Sequence, residues 1–170
     1  VSQRDSGYER KTGDLYETPA WVTAALVPHI PERIKSVWEP ACGSGKMAGV
    51  LEANGFKVHC TDIESGDDFL SCPTVRSDAI ITNPPYKLAT EFIVRSMASA
   101  GFVAMLLRTD FDHAASRQHL FGHYIFAKKV VLTKRIKWFE DSKGSPSFNH
   151  AWFIWDGHHQ GAPTLAYGPC

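Results

Sequence analysis

The chain has 170 residues, 44% of them apolar, and its 18 Lys and Arg balance 18 Asp and Glu to a formal charge of zero. That length suits one domain with a full hydrophobic core, and neutrality confines any phosphate-binding surface to a local patch. No apolar run reaches the length of a membrane span, the amino terminus lacks a signal-peptide core, and the cysteines (Cys42, Cys60, Cys72, Cys170) form no Cys-x-x-Cys pair, so reduced thiols and a cytoplasmic setting are expected rather than a disulfide frame.

Residues 1–14 are polar and aperiodic and are expected to form a mobile arm, followed by a single domain over 15–156 and a Gly-, Pro- and His-rich tail, 157–170, trailing over the surface. In Tyr16-Glu17-Thr18-Pro19, Thr18 is placed as an N-cap and Pro19 as the first helical residue, ahead of an apolar face that includes Trp21, Ala24 and Ala25. Ser36 to Glu39 reads as a strand feeding Pro40-Ala41-Cys42-Gly43-Ser44-Gly45, after which Lys46 to Asn54 has helical composition and Gly55 is placed to stop it. A glycine-bearing turn between strand and helix lets a ligand approach the backbone, with a helix amino terminus behind it. The turn matches neither Gly-x-Gly-x-x-Gly nor Gly-x-x-x-x-Gly-Lys, so a plain tight connection is its alternative reading.

Phe56 to Thr61 reads as a second strand, with Asp62 at its end, about 20 residues after the glycine turn, where dinucleotide-type folds place an acid on ribose hydroxyls. In the loop Gly66-Asp67-Asp68-Phe69-Leu70, a carboxylate and an aromatic ring can flank a purine. Ala79 to Thr82 is a β-branched run that two prolines cannot extend, so the chain leaves the sheet at Asn83-Pro84-Pro85-Tyr86. Each proline holds the residue before it extended. An amide oxygen, a backbone carbonyl and a flat ring, kept close together, suit a planar group carrying an exocyclic NH2; a turn with an incidental Asn is the alternative.

A helix is expected from about Ala89 to Ala100, and the unbroken apolar run from Phe102 to Leu107 predicts a strand covered on both faces of a parallel sheet. Arg108 to Ala127 is irregular. Its His119 and His123 have i, i+4 spacing but no accompanying Glu-x-x-His, so they read as packing or surface groups and no metal is expected. Lys129 to Thr133 and Ala151 to Trp155 read as an antiparallel pair with a long tip. Between them, Lys134, Arg135, Lys137 and Lys143, interleaved with Trp138 and Phe139, either contact nucleic acid or blunt a sheet edge. The alternation of elements predicts an α/β, Rossmann-like doubly wound, mostly parallel sheet with a C-terminal antiparallel β-hairpin and ligands at the strands' carboxyl ends.

Through Glu39-Pro40-Ala41-Cys42-Gly43-Ser44-Gly45, Asp62 and Asn83-Pro84-Pro85-Tyr86, residues 16–155 resemble the class I S-adenosylmethionine-dependent methyltransferases. More narrowly, they resemble those that methylate N6 of adenine in DNA. The resemblance implies S-adenosylmethionine as cofactor, with Glu39, Ala41, Gly43 and Gly45 facing its methionine part and Asp62 its ribose hydroxyls. It further implies that Asp68 and Phe69 flank the cofactor adenine and that Tyr16, Thr18, Pro19, Pro40, Ile63 and Asn83 complete the cofactor site. Asn83, Pro84, Pro85 and Tyr86 would form the acceptor clamp, and nucleic acid, DNA first, would be the partner. RNA adenine, a protein glutamine amide, or a non-catalytic cofactor-binding subunit are the alternatives. Sequence-specific relatives usually carry a separate recognition region for which this chain has no spare domain. Only Arg108 to Ala127 and the tip from Gly144 to His150 could serve, so relaxed specificity, a homodimer or partner subunit, or a single-stranded substrate are all open.

Overall fold

The computed structural model describes residues 17–123, 125–138 and 148–168. Among the described residues, four α-helices, α1 (Ala20–Leu26), α2 (Lys46–Ala53), α3 (Ala89–Ser99) and α4 (Gln118–Phe121), accompany seven strands. The strands are β1 (Ser36–Glu39), β2 (Lys57–Cys60), β3 (Ala79–Thr82), β4 (Phe102–Arg108), β5 (Phe126–Val131), β6 (His150–Asp156) and β7 (Thr164–Tyr167). They form one sheet in the order β2-β1-β3-β4-β6-β5-β7, in which β6 runs antiparallel to both of its neighbours and every other pairing is parallel.

The central strands are apolar except at their ends, because both faces of the sheet are covered. Ala79 and Ile81 of β3, Ala104 and Leu106 of β4, and Trp152 and Ile154 of β6 enter the layer packed with α1 and α2. The alternate residues Ile80, Val103, Met105, Phe153 and Trp155 enter the layer built on α3. This two-residue alternation is the strand's own period, so one sheet organises two cores. The large indoles are admitted because each N–H finds an acceptor: Trp38 Nε1 donates to Thr61 Oγ1 at 2.8 Å, Trp152 Nε1 to the Val22 carbonyl at 2.9 Å, and Trp155 Nε1 to the Leu120 carbonyl at 2.8 Å.

Gly55 ends α2 as its composition predicts. With φ at 89°, its N–H reaches the Glu52 carbonyl (2.9 Å) and the Phe56 N–H reaches the Leu51 carbonyl (3.2 Å), the paired bonds of a Schellman stop. The start of α1 differs from expectation. Pro19, at φ −60° and ψ 146°, takes the cap position rather than the first helical one, and no side chain caps the helix because proline carries no acceptor there; Thr18, one residue earlier, is buried.

The carboxyl-terminal region also differs. Residues 157–170, expected to trail as a tail, contribute β7, which pairs parallel to β5 from Lys128 with Thr164 to Val131 with Tyr167. Without it β5 would be an open edge; Gly161, at φ 90°, supplies the turn that brings the chain back. Strand β5 begins three residues before the expected Lys129, with a register shift between Phe126 and Lys128. Among the described residues no helix is long and apolar enough to cross a membrane. The expected arm, 1–14, lies outside the described residues.

Candidate active site

Strands β1, β2 and β3 are adjacent and parallel, with Val37 opposite Ala79 and Glu39 opposite Cys60, so their carboxyl ends meet along one rim of the sheet. The glycine turn, Asp62 and Asn83 therefore share that rim. Two backbone bonds tie the first two together: the Thr61 N–H donates to the Glu39 carbonyl at 3.0 Å and the Cys42 N–H to the Thr61 carbonyl at 3.2 Å.

In the turn, Gly43 and Gly45 adopt φ of 52° and 82°, a region that disfavours any side chain, and Gly45 directly precedes α2. Asp62 fixes the turn from the neighbouring strand. Its Oδ2 accepts the Gly43 N–H at 2.9 Å while its Oδ1 accepts the Glu64 N–H at 2.9 Å, capping a short 3-10 turn over Ile63–Ser65. Each carboxylate oxygen can still accept a further bond from a ligand. Ile63, immediately after, is 70% exposed, a large apolar side chain held at the rim.

Glu39 ends β1 beneath the turn and is 2% exposed, with Oε2 lacking a partner. Burial pushes its carboxyl pKa up to about 8, the Ala48 N–H pulls the other way, and the nearby Asp62 charge adds to the rise. A carboxyl whose pKa is higher folded than unfolded holds its proton more tightly in the folded state. Its contribution to stability is therefore complete below pH 4.5 and lost as pH rises through about 8. Urea unfolding of Glu39→Gln should accordingly decline less across that window than the parent does; parallel profiles would show Glu39 ionised throughout.

The segment before α1 docks on the same turn. Glu17 pairs with Lys46 of α2 and accepts a bond from Ser44, which holds its carboxyl below the usual range. Thr18 is buried and Pro19 half-buried beside it, whereas Tyr16 lies outside the described residues. In the next loop Asp68 closes its own turn, accepting the Leu70 N–H at 3.0 Å and the Ser71 hydroxyl at 2.9 Å. Phe69 is 2% exposed, its ring edge-on to Trp38 at 5.0 Å, tilted against Phe92 at 4.7 Å and covered by Arg95 at 5.2 Å. The ring is enclosed by the core, so a purine at this loop would meet the Phe69 backbone rather than an open ring face.

Asn83 is half-buried and Pro84 buried, while Pro85 and Tyr86 face solvent. The Pro85 carbonyl is committed to the Leu88 N–H at 2.9 Å, at the head of the 3-10 turn leading into α3. Tyr86 is 47% exposed; its ring meets Phe111 edge-on at 6.4 Å, and the Arg108 guanidinium lies 5.7 Å away. Arg108 is forked onto Asp110 (3.1 and 2.8 Å) and covers the Phe148 ring at 3.9 Å. Phe148 is itself 38% exposed.

Arg108 and Phe148 are site residues that the motifs did not single out. The available signal was Arg108 itself, a cation ending an otherwise apolar strand on the ligand rim. Across from it in the ladder, His150 is buried and edge-on to Trp138 at 5.2 Å; burial, with Arg108 nearby, lowers its pKa to about 4 and keeps the ring neutral. His119 and His123 line an open surface recess with Ala115, Gln118 and Gly122.

No family model and no curated protein sequence matches the chain. In three dimensions it is similar to a candidate class I S-adenosylmethionine-dependent methyltransferase of Listeria monocytogenes, with TM-score 0.64 and 15% identity over 94% of this chain and 68% of that one. It is also similar to a 23S rRNA methyltransferase (TM-score 0.54, 16% identity, 86% and 70% of the two chains). A third likeness is the methyltransferase subunit of a Streptococcus thermophilus type I restriction-modification system (TM-score 0.51, 12% identity, 88% of this chain, 45% of that one). The chain has the class I methyltransferase fold. At these identities the likeness is one of fold, and the fold accounts for the rim: in an open α/β sheet, ligands gather outside the strands' carboxyl ends, where the glycine turn and Asn83 both stand.

Proposed function

We propose that the chain transfers the methyl group of S-adenosylmethionine to the exocyclic N6 amine of adenine in DNA. The observation that carries the reading is the placing of Asn83-Pro84-Pro85-Tyr86 and the Gly43–Gly45 turn on one rim, at the ends of paired strands β3 and β1. The residues present fit the cofactor. Gly43 and Gly45 leave room for close backbone approach, Asp62 retains acceptor capacity that ribose hydroxyls would use, exposed Ile63 would offer an apolar face to the adenine, and the unpartnered oxygen of buried Glu39 would serve the methionine part. Asp68, Pro40, Ala41, Thr18 and Pro19 border that space.

The sulfonium supplies an activated methyl donor, so the chain's task is alignment and raising the nucleophilicity of the amine. The N6 lone pair is delocalised into the ring. Asn83 Oδ1 and the Pro84 carbonyl, each accepting one N–H, draw that nitrogen toward tetrahedral geometry and stabilise the positive charge that grows on it. Tyr86, braced by Phe111, stacks on the base. No general base is required, because the methylated ammonium is acidic enough to lose its proton to water.

The deciding experiment is incubation with methyl-labelled S-adenosylmethionine and, separately, DNA, RNA and protein, with analysis of the labelled nucleosides and amino acids. Label in DNA N6-methyladenine is expected. Label in RNA or in a glutamine amide moves the acceptor, and cofactor binding without any label supports a non-catalytic subunit.

A further inference from the structure

The basic stretch divides into two groups. Lys129, within β5, donates to the Thr109 carbonyl at 2.8 Å and Asp112 Oδ2 at 2.7 Å and lies over Phe153 at 5.0 Å; Lys128 lies 3.5 Å from His29 Nδ1. Both are internal ties. Lys134, Arg135 and Lys137 follow the carboxyl end of β5 and are exposed, although Lys134 Nζ also lies 5.6 Å over the Trp21 ring; Lys143 lies outside the described residues. Blunting an open edge does not account for them, because β7 covers β5 and these residues lie beyond the strand.

They stand on the site's rim, since β4 and β5 are both antiparallel to β6 and hence parallel to each other. A chain of contacts joins them to the clamp. Arg135 Nε donates to Asn149 Oδ1 at 3.0 Å, and Phe148, next in sequence, carries Arg108 on its face, the same guanidinium that neighbours Tyr86. Arg108 is neutralised by Asp110, so it spaces two rings rather than binding phosphate. From Asn83 to Arg135 the path crosses three inter-strand steps, about 14 Å.

We infer that the acceptor adenine is presented on an unpaired DNA strand lying along this rim, from Asn83 to Lys137. The inference rests on the methyl-transfer reading and specifies its substrate. Two solvent-facing rings followed by a cluster of cations match what a single strand offers, base faces and phosphates together, whereas a duplex buries its base faces in the stack. An unpaired target also avoids the unstacking that flipping a base requires.

The test uses the full chain and one adenine-containing sequence as single-stranded DNA, as duplex and as RNA, measuring anisotropy binding and N6-methyladenine formation on each. Single-stranded DNA should bind at least about tenfold tighter than duplex, with a log–log salt slope near −2 for three cations, reduced by about 0.7 in each of Lys134→Ala, Arg135→Ala and Lys137→Ala. Phe148→Ala should weaken single-strand binding by roughly five- to a hundredfold while leaving duplex binding unchanged. Methylation that favours duplex or RNA overturns the unpaired-DNA inference and leaves methyl transfer standing. Methylation of none of the three overturns the methyl-transfer reading itself.

Discussion

Asn83→Ala should leave the dissociation constant for S-adenosylmethionine within about twofold of the parent and lower the single-turnover rate of methyl transfer by about 10²- to 10³-fold. The size follows from where the side chain stands. All of β3 from Ala79 to Thr82 is buried, so the strand end that carries Asn83 is rigid, and Pro84 behind it is buried as well. An acceptor held this firmly gains most from the amine when positive charge develops on nitrogen, and truncation removes it from the transition state more than from the ground state. The glycine turn keeps its tie, since Asp62 accepts the Gly43 N–H. Calorimetry for the cofactor and rapid-quench measurement of methyl transfer separate the two effects; unchanged turnover would remove the amide from the mechanism.

Local chemistry made much of this site readable before any coordinates. The proline pair that follows Asn83 can only end a strand, glycines at 43 and 45 suit a left-handed turn at low cost, and β4 is apolar up to Arg108 because both of its faces are covered. Each of those signals lies within a few residues. What was not legible depends on pairing across the chain. Thr164 to Tyr167 carries no strong strand pattern and becomes a strand because β5 offers it an edge. Phe69 looks like a ligand-facing ring in its loop, and only the approach of Trp38, Phe92 and Arg95 shows it to be core. Arg108 and Phe148 are 40 residues apart and meet only because β6 enters the sheet beside β4. Lys128 and Lys129 share a charge run with Lys134, yet strand geometry turns them toward His29 and Asp112.

The converse substitution at the other half of the rim is Asp62→Ala, which should weaken cofactor binding more than tenfold and lower unfolding stability by about 1–3 kcal/mol. Two backbone donors, the Gly43 N–H and the Glu64 N–H, depend on this one carboxylate. Removing it loosens the left-handed turn at Gly43 and the 3-10 turn that presents Ile63, so the chain loses both the ribose acceptor and the shape of the pocket around it. Asp62→Asn separates these contributions. An amide oxygen can still accept one N–H, but its NH2 faces the second donor, so one turn holds while the charge is gone. Cofactor affinity in Asp62→Asn should therefore fall between those of parent and alanine variant, with most of the stability retained. A dissociation constant unaltered in both variants would place the cofactor elsewhere on the rim. Affinity lost together with the whole fold in Asp62→Ala, but kept in Asp62→Asn, would make Asp62 a structural support of the turn and leave the ribose to another residue.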